Sequence, residues 1–118
     1  MIRTFIRLPE FEKRCKYLGL IEDDIMEIEN AILDNPALGE LIVGTGGVRK
    51  FRIALNENKG KSGGARVIYI DYAFYETTYL ITAYAKGDKE DLSQTERNNL
   101  KILVKILESE AKEGYNNV

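Results

Sequence analysis

The chain has 118 residues, with 17 Lys and Arg against 19 Asp and Glu, a single Cys, two Pro, and neither His nor Trp. That length suits one domain spanning residues 1–118, and 44% apolar with 31% charged residues is a globular rather than a disordered composition. The lone Cys15 excludes an internal disulfide framework, and the missing histidine excludes the common zinc sites, Ser-His-Asp triads and imidazole acid–base chemistry, leaving Lys, Arg, Tyr and carboxylates for any catalysis, with no metal or cofactor implied.

Residues 2–7 alternate weakly and read as a short strand. Pro9 suits a first helical turn, and Phe11, Cys15 and Leu18 follow at helical spacing up to Gly19, a stop signal. Asp23 or Asp24 can cap a second helix carrying Ile25, Ile28, Ile32 and Leu33 on one face, which Asn35-Pro36 ends. Residues 39–47 form a loop finishing in Gly44-Thr45-Gly46-Gly47. From Val48 the period becomes two, with Phe51, Ile53 and Leu55 on one face and Lys50 and Arg52 on the other. A polar loop over 56–64 leads to a β-branched and aromatic strand over 65–72.

After a turn within 71–76, a third strand spans 77–86. Simple alternation puts Thr78, Leu80, Thr82, Tyr84 and Lys86 on one of its faces. Ser93-Gln94-Thr95-Glu96 has the capping-box pattern. A final helix follows, with Leu100, Leu103, Val104, Leu107 and Ala111 as its stripe and Gly114 as its stop. The order β-α-α-β-β-β-α predicts an α+β domain: an antiparallel meander with helices packed on one face.

Charge is distributed unevenly. Residues 49–66 carry Arg49, Lys50, Arg52, Lys59, Lys61 and Arg66 against Glu57 alone, while the flanking segments are both net negative. A basic island in an acidic chain is a local anion site or a solvated loop. Gly60-Lys61-Ser62 resembles the end of a phosphate-binding P-loop. That motif needs a Gly where Leu55 stands and a helix where a strand is predicted, so the nucleotide-binding reading fails. In a meander, the loop lysines Lys59 and Lys61, the strand residue Arg66, and Tyr84 and Lys86 converge at one end of the sheet. Guanidinium and ammonium groups with a proton donor and acceptor suit phosphodiester chemistry, and crowded lysines lower one another's pKa toward a general base.

The strings Gly44-Thr45-Gly46-Gly47-Val48-Arg49-Lys50, Lys59-Gly60-Lys61-Ser62-Gly63-Gly64-Ala65-Arg66, Tyr84-Ala85-Lys86 and Asp91-Leu92 resemble the HigB branch of the RelE/ParE superfamily of toxins from type II toxin–antitoxin systems. The resemblance implies a cytoplasmic, metal-independent endoribonuclease that enters the ribosomal A site and cuts mRNA through attack of the ribose 2′-OH. It implies catalytic roles for Lys59, Lys61, Arg66, Tyr84 and Lys86, and RNA-holding roles for Arg49, Lys50 and Arg52. It also implies a cognate antitoxin with a helix-turn-helix, through which alone operator DNA would be bound. Leu92 stands near the place where the RelE branch carries a catalytic Tyr, which leaves Tyr84 as the substitute. The alternatives are a ParE-like toxin that poisons DNA gyrase without cutting, and a degenerate toxin that only binds its antitoxin. No stretch approaches the ~20 apolar residues of a membrane span, and residues 1–7 are too charged for a signal peptide.

Overall fold

A computed structural model describes residues 2–55, 64–89 and 91–117. The expected loop lysines Lys59 and Lys61 lie outside the described residues. Strand β1 (Thr4–Arg7) leads into α1 (Pro9–Leu18), whose first position is occupied by Pro9, a residue without an N–H to leave unsatisfied. Gly19 ends α1 in the left-handed region at φ 77, and its N–H donates to the Lys16 carbonyl. Helix α2 (Glu22–Asp34) is capped differently from expectation. Ile21 occupies the cap position, and Asp24 reaches back from inside the first turn to accept the Ile21 N–H at 2.9 Å. Glu22, Asp23 and Asp24 thus all face the positive end of the helix.

The remaining strands are β2 (Glu40–Leu41), β3 (Arg49–Ile53), β4 (Ala65–Tyr72) and β5 (Thr77–Ala85). Their spatial order is β1-β5-β4-β3-β2, antiparallel except for the β1–β5 pair. The meander β3-β4-β5 is the expected one. The two-residue β2 lies inside the segment read as loop, and Thr45 closes the turn after it. Its Oγ1 donates to the Ile42 carbonyl at 2.7 Å and accepts the Val48 N–H at 3.1 Å. Gly44-Thr45-Gly46-Gly47 is therefore a structural turn.

The helices cover both faces of the sheet, not one as expected. Phe11, Cys15 and Leu18 of α1 and Ile25, Ile28 and Ile32 of α2 pack on Phe51, Val67, Tyr69 and Leu80. Helix α3 (Gln94–Asn116) packs Leu100, Val104, Leu107 and Ala111 on Ile68, Ile70, Tyr79 and Ile81. The physical reason lies in β4: Val67, Ile68, Tyr69 and Ile70 are all buried, and four consecutive apolar residues in a strand need cover on both sides. Tyrosine hydroxyls fasten each layer, Tyr69 donating to the Leu38 carbonyl at 2.8 Å and Tyr72 to the Val104 carbonyl at 2.8 Å. Cys15 is buried, and burial pushes its thiol up to about 11, so it is a packing residue.

Two further expectations are corrected. Ile68 pairs with Thr82 but Tyr69 pairs with Leu80, so Ile81 is an extra residue in β5. This bulge inverts the alternation: Leu80 faces α1 and α2, whereas Tyr84 faces the α3 side, and the two do not share a face. Gly114 does not stop α3, which continues to Asn116 and ends at Asn117. Among the described residues, no helix is long and apolar enough to cross a membrane.

Candidate nucleic-acid interface

Three adjacent strands bring three of the predicted site residues into one row. Arg66 of β4 is the register partner of Arg52 on β3 and of Tyr84 on β5. Side chains directly opposite one another in antiparallel pairs lie about 4.5–5.5 Å apart at Cβ. Arg52 and Arg66 therefore stand side by side on the face that carries α3. Like charges in that relation are unfavourable unless an anion joins them. Arg66 is half-buried and Arg52 is exposed. Gly64 positions the start of β4: its φ is +73, and a Cβ there would fall 2.3 Å from the Ile53 carbonyl oxygen.

Lys50 lies two residues before Arg52, on the same face, opposite Ile68. Its Nζ donates to Asp91 Oδ1 at 3.2 Å. Asp91 Oδ2 accepts from Arg97 Nη2 at 3.0 Å, and Oδ1 also accepts the Leu92 N–H at 2.8 Å. The Leu92 amide first, and then Lys50, hold the Asp91 carboxyl below the ordinary carboxylate range. Arg97 is placed by the capping box of α3, in which the Ser93 hydroxyl accepts the Glu96 N–H and the Glu96 carboxylate accepts the Ser93 N–H.

Tyr84 is 2% exposed, and its hydroxyl has no hydrogen-bond partner among the described residues. Burial, followed by the nearby Asp91, raises its phenol, with Arg66 acting in the opposite direction. The phenol is therefore protonated at neutral pH and has a proton to donate. The Lys89 ammonium lies 4.9 Å from the centre of its ring, which is not open to a stacking base. Lys89 also pairs with Glu96.

Two predicted residues stand apart from the row. Arg49 donates to the Ala37 and Gly39 carbonyls at 3.0 and 3.3 Å, tying β3 to the α2–β2 linker. Lys86 is exposed in the turn after β5, where its N–H donates to the Gly64 carbonyl. Arg97, Lys89 and Asp91 were not singled out as site residues. The available signal was the capping box, because it fixes which residues occupy the first turn of α3 beside the strand ends. Gly39, Lys50, Arg52 and Arg66 border a depression of about 630 Å³. A larger groove, about 720 Å³, runs between α1 and α3 along β5 past Arg14, Tyr84 and Leu103, and includes none of the cations of the row. The row thus borders both hollows, its cations lining the smaller depression and Tyr84 the larger groove.

Residues 9–118 match the family model described as the RelE toxin of the RelE/RelB toxin–antitoxin system. The chain belongs to the RelE toxin family. The fold agrees with that of the E. coli toxin RelE, solved in the free state as a double arginine-to-alanine mutant. The two superpose with a TM-score of 0.53 over 76% of this chain and 90% of that one, at 14% identity. At that identity the likeness is one of fold. RelE membership makes the protein a toxin of a toxin–antitoxin pair, and the Arg52–Arg66–Tyr84 row lies within the matched region.

Proposed function

We propose that this toxin is a HigB-like, ribosome-dependent mRNA endoribonuclease of the cytoplasm, working in the ribosomal A site and neutralised by a cognate antitoxin with a helix-turn-helix. The observation that carries the reading is the register of Arg52, Arg66 and Tyr84. It sets two guanidinium groups beside a protonated phenol with no hydrogen-bond partner among the described residues, at the end of β4 that follows Lys59 and Lys61 in the sequence. Such a cluster suits a phosphorane, whose equatorial oxygens gain negative charge as the reaction proceeds.

The ribose 2′-OH attacks the adjacent phosphorus. An amine of Lys59, Lys61 or Lys86 takes the 2′-OH proton, the O2′–P bond forms, and the P–O5′ bond breaks. The 5′ oxygen leaves with a proton, and the upstream fragment ends in a 2′,3′-cyclic phosphate. Arg66 stabilises the charge on the phosphorane oxygens, Arg52 and Lys50 hold neighbouring phosphates, and Tyr84 donates to the reacting phosphate or the leaving oxygen. Operator DNA is engaged only through the antitoxin complex.

Primer extension on a defined mRNA in reconstituted translation, with and without ribosomes, tests the reading. Cuts in register with codons, requiring ribosomes and falling ~10²–10³-fold with Arg66→Ala, are the expected result. Growth arrest without cuts would overturn it. In that case a gyrase supercoiling assay tests the ParE-like alternative, which needs no basic row.

A further inference from the structure

The proposed RNA-binding face contains an anion of its own. Asp91 bridges Lys50 of β3 and Arg97 of α3, two cations from different elements on the face that carries Arg52 and Arg66. We propose that Lys50 and Arg97 form a clamp for one RNA backbone phosphate, and that the Asp91 carboxylate is its resident counter-ion, which the phosphate replaces. This inference rests on the nuclease reading above and adds Arg97 to the substrate-binding residues.

The bridging geometry supports the exchange. Each carboxylate oxygen serves one cation, Oδ1 meeting Lys50 and Oδ2 meeting Arg97. A phosphodiester likewise offers two anionic oxygens sharing one negative charge, so it can replace the carboxylate without leaving either cation uncompensated. The Asp91 side chain is 49% exposed, and Lys50 and Arg97 remain 23% and 25% exposed, so the pairs are reachable and individually weak. The Leu92 N–H keeps the carboxylate aimed at the clamp in the free protein.

The phenol of Tyr84 lies in the field of both Asp91 and Arg97, yet no described group accepts its proton. A phosphate in the clamp is the acceptor that this buried donor lacks. Without Asp91, Lys50 and Arg97 would lose the acid that bridges them on the face that also carries Arg52 and Arg66. The carboxylate thus limits adventitious anion binding while the site is empty.

The test is fluorescence anisotropy with a labelled, 2′-O-methylated single-stranded oligoribonucleotide, which binds but cannot be cut. Asp91→Asn retains an oxygen for the Leu92 N–H, so it removes the charge without unmaking the turn. It is expected to bind about tenfold more tightly than the wild type. Its log–log salt dependence should steepen by about 0.7, the value for one further single-strand phosphate. Adding Arg97→Gln should abolish the gain. Glu108→Gln removes an equal charge from an exposed position about three helical turns beyond Arg97 and should change little.

No tightening by Asp91→Asn, a gain that survives Arg97→Gln, or an equal gain from Glu108→Gln each overturns the clamp. Binding that falls with Arg66→Ala while Asp91→Asn is neutral would refute the clamp and leave the nuclease reading standing. Failure of every variant to bind the free oligonucleotide overturns the clamp, while primer extension on ribosomes decides the nuclease reading separately.

Discussion

Tyr84→Phe should make the free protein more stable and the enzyme slower. The substitution removes one oxygen from a ring that is 2% exposed, leaving the packing of that ring under Leu92 and α3 intact. The oxygen has no partner among the described residues, and an unmatched buried hydroxyl costs about 1–3 kcal/mol. Allowing for local relaxation, the gain should be about 1 kcal/mol, which raises Tm by about 4 °C in a domain of this size. In the proposed complex the same hydroxyl would donate to a charged phosphate, a bond worth about 1.5–3 kcal/mol, so cleavage should slow about 10- to 150-fold. Scanning calorimetry of the free toxin and single-turnover cleavage on programmed ribosomes measure the two halves separately. A Tm that falls by several degrees would refute the reasoning, because the hydroxyl must then be bonded before RNA arrives. Unchanged cleavage would show that it never reaches the substrate.

Three further outcomes follow from named contacts. Arg3 donates from two nitrogens to Asp71, and both side chains are 7% exposed. Asp71→Ala should therefore cost about 3–5 kcal/mol in urea unfolding, and Arg3→Leu combined with Asp71→Leu distinctly less than the two single losses together. Gly64→Ala should destabilise by ~2 kcal/mol or more and depress cleavage, because its Cβ meets the Ile53 carbonyl at 2.3 Å two residues from Arg66. Burial lifts Tyr69 and Tyr72 to about 12 and raises Tyr79 and Tyr84 as well. The unfolded chain therefore loses phenolic protons first, so stability should be fully present below about pH 10 and decline as pH rises from 10 toward 12. Urea midpoints across that window check the sign, and Tyr84→Phe should flatten the decline.

The local elements were largely legible in the sequence because each is set by neighbours in the chain. Pro9 and Gly19 bound α1, and Ser93 with Glu96 opens α3. Alternation in β3 correctly separates Phe51 from Lys50 and Arg52. The misreadings occurred where distant residues decide. The Ile81 bulge is a property of the β4–β5 pair, and nothing in β5 alone marks the residue that will be extra. Once it is present, every side chain beyond it changes face, which carries Tyr84 away from Leu80 and into the row with Arg66. The two-faced packing did have a local signal: the unbroken apolar run Val67-Ile68-Tyr69-Ile70 cannot belong to a sheet with one wet face.

The same topology explains why the candidate site was only partly legible. Arg66 and Tyr84 could be placed at one end of the sheet from meander geometry, because strand ends joined by short connections are neighbours, although the bulge decides that they share a face. Arg97 and Asp91 could not, because their proximity to Lys50 depends on α3 crossing the sheet on the side opposite α1 and α2. That crossing divides the face. Leu100, Val104 and Leu107 cover Ile70, Tyr79 and Ile81, while on the same face Arg52 is exposed and Arg66 half-buried. An apolar cover over the whole face would bury guanidinium groups without counter-charges, and no cover would leave Ile68 and Ile70 wet. Starting α3 with a polar, capped turn at the border resolves both demands. It also brings Arg97 and the Asp91 carboxylate beside Lys50 at the margin of the basic row, which is the geometry the proposed clamp requires.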